Sequence, residues 1–395
     1  MSRRRPSPET WPRGLARPAV RAIAASRIRE VAEAGRGRPD LIPLWFGEPD
    51  QPTPEFITAA AAAALAAGET FYTPNLGIAE LREALAAYLT RLRARPVSAD
   101  RVGVTVSGMN ALMLVTECLI DPADVVVAVT PTWPNSLETV HIMGGVTRTV
   151  PLALENGAWR LDLDRFLAAI DGEVRAVVLN SPNNPTGWTM TREAQAALLA
   201  HCRRFGVWLV ADEVYDRIYY GGRAAPSFLD LADPDDRLVV VNSFSKTWAM
   251  TGWRLGWVVA PRVLMEDLAK LAEFNVSCAT TFAQYGALAA VRDGEPFVAR
   301  TLERYRAARD LVVDRLSGLS RVQAPRPEGA FYAFFRVDGV SDSLAFAKRL
   351  LADTGVGLAP GVAFGPTGEG HLRLCFAKAP ELLETALARI APALG

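Results

Sequence analysis

Six short runs of apolar, largely β-branched residues recur between longer stretches with helical spacing, and this alternation is the strongest constraint on the fold. The runs are Val102–Gly108, Val125–Thr130, Arg175–Asn180, Val207–Glu213, Leu238–Phe244 and Gly256–Ala260. Helical patterns such as Ala111–Leu119 and Arg192–Phe205 separate them. Near-continuous apolar strands joined through helices predict an α/β fold whose mostly parallel sheet is covered by helices on both faces. Ligands of such sheets bind at the carboxyl ends of the strands. The residues that follow each run are therefore the candidates for chemistry.

Beyond about residue 290 the texture changes. Long helical patterns, Pro296–Leu316 and Pro380–Leu394, bracket strand-like pieces at Ala330–Val337 and His371–Phe376. This predicts a smaller α+β domain over 291–395, joined by a segment at 21–47, beside a large domain over 48–290. The basic, Pro-rich residues 1–20 carry no apolar stretch of the secretory kind and read as a flexible arm, although sparse acids also suit a mitochondrial-type presequence.

With 395 residues, half of them hydrophobic, the chain supports a large core and is too apolar for disorder. Its 43 Lys+Arg balance 43 Asp+Glu, which leaves no electrostatic footprint for nucleic acid or an acidic membrane surface. No apolar run is long enough for a membrane span. Cys118, Cys202, Cys278 and Cys375 are scattered and suit a reducing cytoplasm. His141, His201 and His371 form no metal-binding motif, and no metal is expected. Only four basic residues are lysines: Lys246, Lys270, Lys348 and Lys378.

Five strand ends carry distinctive residues. Ser107-Gly108-Met109-Asn110 opens a helix and offers backbone N–H groups to an anion. Trp133 follows the second run and suits stacking on a flat ring or packing in the core. Asn184 lies in a rigid Ser-Pro-Asn-Asn-Pro-Thr-Gly turn. Asp212, with Tyr215 close behind, ends an apolar strand, where an acid must be paired or serve as a helix cap. Ser243, Ser245 and Lys246 follow the fifth run, with Arg254 eight residues on. A lysine among apolar groups and cations has a lowered pKa and attacks carbonyls, while serine hydroxyls and an arginine fork suit a phosphate. Each feature alone also suits a plain structural role. Together they describe a site for a flat phosphorylated aldehyde, pyridoxal 5'-phosphate, bound through Lys246.

The ordered motifs Phe-Gly-Glu-Pro-Asp at Phe46, Asn-Asn-Pro-Thr-Gly at Asn183, Asp-Glu-Val-Tyr at Asp212, Ser-Phe-Ser-Lys at Ser243, Arg-Leu-Gly-Trp at Arg254 and His-Leu-Arg-Leu-Cys-Phe at His371 resemble those of class I/II aminotransferases, fold type I pyridoxal phosphate enzymes. The resemblance spans nearly the whole chain and implies a seven-stranded sheet in the large domain. By it, Lys246 is the Schiff-base lysine and proton shuttle. Asp212 partners the pyridine nitrogen, and Tyr215 and Asn184 meet the ring's 3-oxygen. Ser243, Ser245, Arg254, Gly108, Met109 and Asn110 form the phosphate cup, and Trp133 stacks on the ring. Tyr72 reaches a neighbouring subunit's phosphate, implying a homodimer with shared sites. Arg373 forks the substrate carboxylate, with Gly47 and Asn184 beside it. The implied activity moves an amino group from an L-amino acid to a 2-oxo acid by a ping-pong mechanism.

Met109 departs from the pattern. Similar prokaryotic aspartate aminotransferases carry a lysine there, in Gly-Gly-Lys-Gln, for the distal carboxylate, so Met109 tilts expectation toward an apolar or aromatic donor. The same scaffold also hosts C–S lyases, decarboxylases and oxidases, between which fold cannot choose. An effector-binding regulator would need a DNA-binding module, for which no basic helix-turn-helix is present. A catalytically dead homologue would be expected to have lost Lys246, Asp212 or Arg254, and all three are present.

Overall fold

The computed structural model describes Ala16 and residues 18–395. Most of the expected N-terminal arm lies outside these residues. Pro18–Arg21, which overlaps the end of its range, forms a short helix.

Seven strands build the central sheet: β1 (Val102–Thr105), β2 (Val125–Thr130), β3 (Val146–Pro151), β4 (Val174–Asn180), β5 (Trp208–Asp212), β6 (Leu238–Ser243) and β7 (Gly256–Val259). Their order across the sheet is β1-β7-β6-β5-β4-β2-β3. Every pairing is parallel except those of β7, which runs antiparallel to both β1 and β6. The sheet is therefore mixed but mostly parallel, as the unbroken apolar runs require. Residues such as Val127, Val177, Leu209 and Val259 are fully buried on one face, and Val126, Val239 and Val241 on the other.

Strand β3 has no counterpart among the six runs read from the sequence. Its Val-Thr-Arg-Thr-Val-Pro stretch is an edge strand, paired only with β2, and much of it is partly or fully exposed. Polar residues and a terminal proline belong on such an edge.

A second sheet contains β8 (Val322–Gln323), β9 (Tyr332–Val337), β10 (Ala359–Pro360) and β11 (His371–Cys375), ordered β8-β9-β11-β10 and antiparallel throughout. The helices Glu295–Ser317, Ser343–Thr354 and Pro380–Leu394 accompany it. Ile42–Pro43 pairs in parallel with Val356–Gly357, tying the segment before Gly47 to this part of the chain. Among the described residues no helix is long and apolar enough to cross a membrane.

Candidate active site

The topology brings the sequence-read strand ends to one edge. Strands β1, β2, β4, β5 and β6 point their carboxyl ends the same way, and antiparallel β7 places its first residue, Gly256, opposite both Ser243 and Thr105. A cavity of about 350 Å³ opens there. Lys246, Asp212, Tyr215, Asn184, Gly108, Met109, Trp133, Ser243, Ser245, Arg254, Gly47 and Arg373 all line it.

One end suits an anion. Ser107 caps the helix Gly108–Leu119 by accepting the Asn110 N–H at 3.1 Å. The amides of Gly108 and Met109 belong to the first turn, where a helix offers its N–H groups no internal partner. Ser243 Oγ lies 2.9 Å from Ser245 Oγ, and Arg254 is fixed by donating from Nη1 to Thr251 O at 2.7 Å. Gly256 permits the close approach, because a Cβ there would lie 2.5 Å from the Gly108 nitrogen.

The middle of the cavity holds the titratable groups. Asp212 is buried and accepts the Val214 N–H at 3.2 Å. Burial pushes its carboxyl up to about 7, against the pull of that N–H and of Lys246. Lys246, partly buried, donates from Nζ to Gly47 O at 2.6 Å. Burial pushes its ammonium down to about 8, and Arg373 and Arg254 act in the same direction. The Tyr215 hydroxyl lies 2.7 Å from that of Tyr332, and burial drives the Tyr215 phenol well above its ordinary value.

Arg373 forms the far wall. Its Nη1 donates to Asn184 Oδ1 at 2.8 Å, its Nη2 donates to Trp45 O, and its guanidinium lies 4.3 Å from the Tyr332 ring centre. The buried Nε has no partner. Asn184 is itself held by Asn180, whose Oδ1 accepts the Asn184 N–H at 2.7 Å while its Nδ2 donates to Asp212 O at 3.1 Å.

Two sequence-read residues stand apart from the cavity wall. Asn110 spends its side chain on structure: Oδ1 accepts the Val106 N–H at 3.1 Å and Nδ2 donates to Asn275 Oδ1 at 3.0 Å. Tyr72 is 88% exposed and away from the cavity. Conversely, Tyr332, Ser26, Ile28, Arg29 and Asn135 line the cavity without having been singled out. Tyr332 lay inside a recognised strand pattern, but only the sheet brings its hydroxyl to Tyr215. Ser26 to Arg29 form a capped helix start, a local structure with no sign of a cavity in it.

The model of the family "aminotransferase class I and II" matches residues 39–390. The chain is 34% identical over 378 residues to an aspartate aminotransferase of Pyrococcus horikoshii, covering 95% of this chain and 96% of that protein. It is 36% identical to an aspartate/prephenate aminotransferase of Thermus thermophilus, covering 97% and 99% respectively. It superposes on the solved structure of a single mutant of Thermus thermophilus aspartate aminotransferase with a TM-score of 0.90 at 37% identity, covering 97% of this chain and 100% of that one. The chain belongs to the class I and II aminotransferases. It is a transaminase, moving an amino group between an amino acid and a 2-oxo acid.

Proposed function

We propose that this transaminase uses pyridoxal 5'-phosphate and works by a ping-pong mechanism between an L-amino acid and a 2-oxo acid. The observation that carries the reading is the convergence of Lys246, Asp212 and Arg373 on one cavity, one end of which suits an anion. The residues fit the cofactor: the Gly108 and Met109 amides, Ser243, Ser245 and Arg254 would hold the phosphate, and Trp133 would face the ring. Pyridoxal phosphate supplies an aldehyde that takes up amino groups and a ring that draws electrons from the substrate Cα.

The protein's own groups do the rest. Lys246, with its ammonium pushed down to about 8, keeps part of its amine neutral near neutral pH and so able to attack a carbonyl. Nζ of Lys246 then serves to move the proton at the substrate Cα. Asp212, whose carboxyl burial pushes up to about 7, would pair with a protonated ring nitrogen, and each charge would hold the other in place. Tyr215 would donate to the ring's 3-oxygen, with Asn184 alongside. Arg373 orients the substrate carboxylate, its free Nε being one donor still available.

The cavity lining sets apolar Ile28, Phe46, Leu112 and Met109 beside polar Ser26, Asn135 and Arg29, and the apolar group favours an apolar or aromatic amino acid. One observation supports a dicarboxylic donor as a second reading. Arg29 lines the cavity 5.8 Å from the Phe46 ring centre and has no ion-pair partner among the described residues. Exposure of Phe71, Tyr72 and Phe274 supports a homodimer in which Tyr72 meets the neighbouring site. The strand pairing of Ile42–Pro43 supports a small domain made of residues 21–47 and 291–395 beside a large domain at 48–290. Four free cysteines support a cytoplasmic location.

Initial rates test the mechanism. Varying donor at several fixed acceptor concentrations should give parallel double-reciprocal lines. Intersecting lines would mean that both substrates bind before any product leaves, and would overturn the ping-pong reading.

A further inference from the structure

The sequence motifs do not account for Tyr332. Its hydroxyl is 2.7 Å from that of Tyr215, and the hydrogen bonds of the described residues offer it no other partner. The residue is 1% exposed. Gly47 closes over it, since a Cβ on Gly47 would lie 1.8 Å from the Tyr332 oxygen. The Arg373 guanidinium stacks 4.3 Å from its ring centre.

A phenol has one proton to donate. If Tyr215 spends its proton on the cofactor's 3-oxygen, as the proposed function has it, the short contact with Tyr332 is satisfied only when Tyr332 is the donor. The surroundings favour the same direction. Burial raises both phenols and Arg373 lowers both, but its guanidinium stacks on the Tyr332 ring at 4.3 Å, while the Asp212 carboxylate raises Tyr215 further.

We propose that Tyr332 is a positioning residue: it donates to the Tyr215 oxygen, fixes the direction of that hydrogen bond, and commits the single Tyr215 proton to the cavity. Hydrogen bonds in a chain polarise one another, so Tyr332 also makes Tyr215 a stronger donor toward the 3-oxygen. This rests on the reading that Tyr215 faces that oxygen. A stronger donor there draws charge from the oxygen and loosens its hold on the neighbouring nitrogen's proton. Tyr332 thereby lowers the pH at which the bound chromophore deprotonates.

The test is a pH titration of visible absorbance in the cofactor-loaded protein, comparing the parent with Tyr332→Phe, Tyr215→Phe and the double variant. Phenylalanine keeps the ring beneath Arg373, so packing survives. Tyr332→Phe should raise the midpoint by roughly half a pH unit, less than Tyr215→Phe does. The double variant should match Tyr215→Phe, because Tyr332 acts through Tyr215. An unmoved midpoint in Tyr332→Phe, with Tyr215→Phe shifted, would overturn the inference and leave the site reading intact. Full additivity in the double variant would also overturn it. An unmoved midpoint in Tyr215→Phe would instead remove the underlying placement of Tyr215.

Discussion

Arg373 donates from Nη1 to Asn184 Oδ1 across 2.8 Å, and this bond links strand β11 of the four-stranded sheet to the turn after β4 of the seven-stranded one. Under the proposed function, the residue that would bind the substrate carboxylate is thus held by one that would face the cofactor. Replacing Arg373 with Lys keeps the charge but loses the planar fork. The expected result is a fall in kcat/KM of about 100-fold, roughly 2.7 kcal/mol, in steady-state assays of Arg373→Lys. A loss of only a few-fold would show that the fork does not bind the carboxylate.

Gly47 sits where a side chain has no room, with the Tyr332 oxygen 1.8 Å from the place of a Cβ. Its carbonyl also receives Lys246 Nζ. Gly47→Ala should push this segment off Tyr332 and weaken substrate binding, so KM should rise about 10-fold or more. An unchanged KM in the variant would show that the segment does not border the substrate.

Lys246 makes the cofactor-free protein's stability depend on pH. Its folded ammonium sits at about 8, against an ordinary 10.5. Between those values the unfolded chain keeps a proton that the folded lysine has released, so stability rises with pH across that window. Below about 8 both states are protonated and the cost of burying the charge is present in full. Urea unfolding of the cofactor-free protein at pH 8 and pH 10 should show this gain in the parent, and Lys246→Met should remove it. An equal slope in both proteins would contradict the burial argument.

Arg29 separates the two donor readings. Arg29→Gln should raise KM for dicarboxylic amino acids about 3-fold, about 0.6 kcal/mol for an exposed ion pair, and leave apolar donors unaffected. Equal effects on both donor classes, measured by kcat/KM, would show that Arg29 does not contact the side chain.

Much of this site could be read in the sequence because its parts follow apolar strands, and parallel strands bring their carboxyl ends together. That rule alone marked Asp212, Lys246 and Asn184 as candidates, and the resemblance to the family supplied their roles. β3 escaped because an exposed edge strand carries Arg148 and threonines in place of an apolar run. The resemblance placed Asn110's side chain in the phosphate cup, yet its position at the helix start lets that side chain brace the turn at Val106. Tyr332 meets Tyr215 across 117 residues of chain, a contact with no local signal. Arg29 lies in a helix whose Ser26 cap explains the local pattern fully, so nothing marks it as lining a cavity.

The most direct test of the central claim is the visible spectrum of the pyridoxal phosphate-loaded protein before and after amino acids are added without any 2-oxo acid. The account predicts that the yellow absorbance bleaches, with one 2-oxo acid released per site and no ammonia. Lys246→Ala should stay folded and release none. Persistent yellow absorbance with accumulating ammonia, carbon dioxide or peroxide would contradict it, as would a protein that takes up no cofactor.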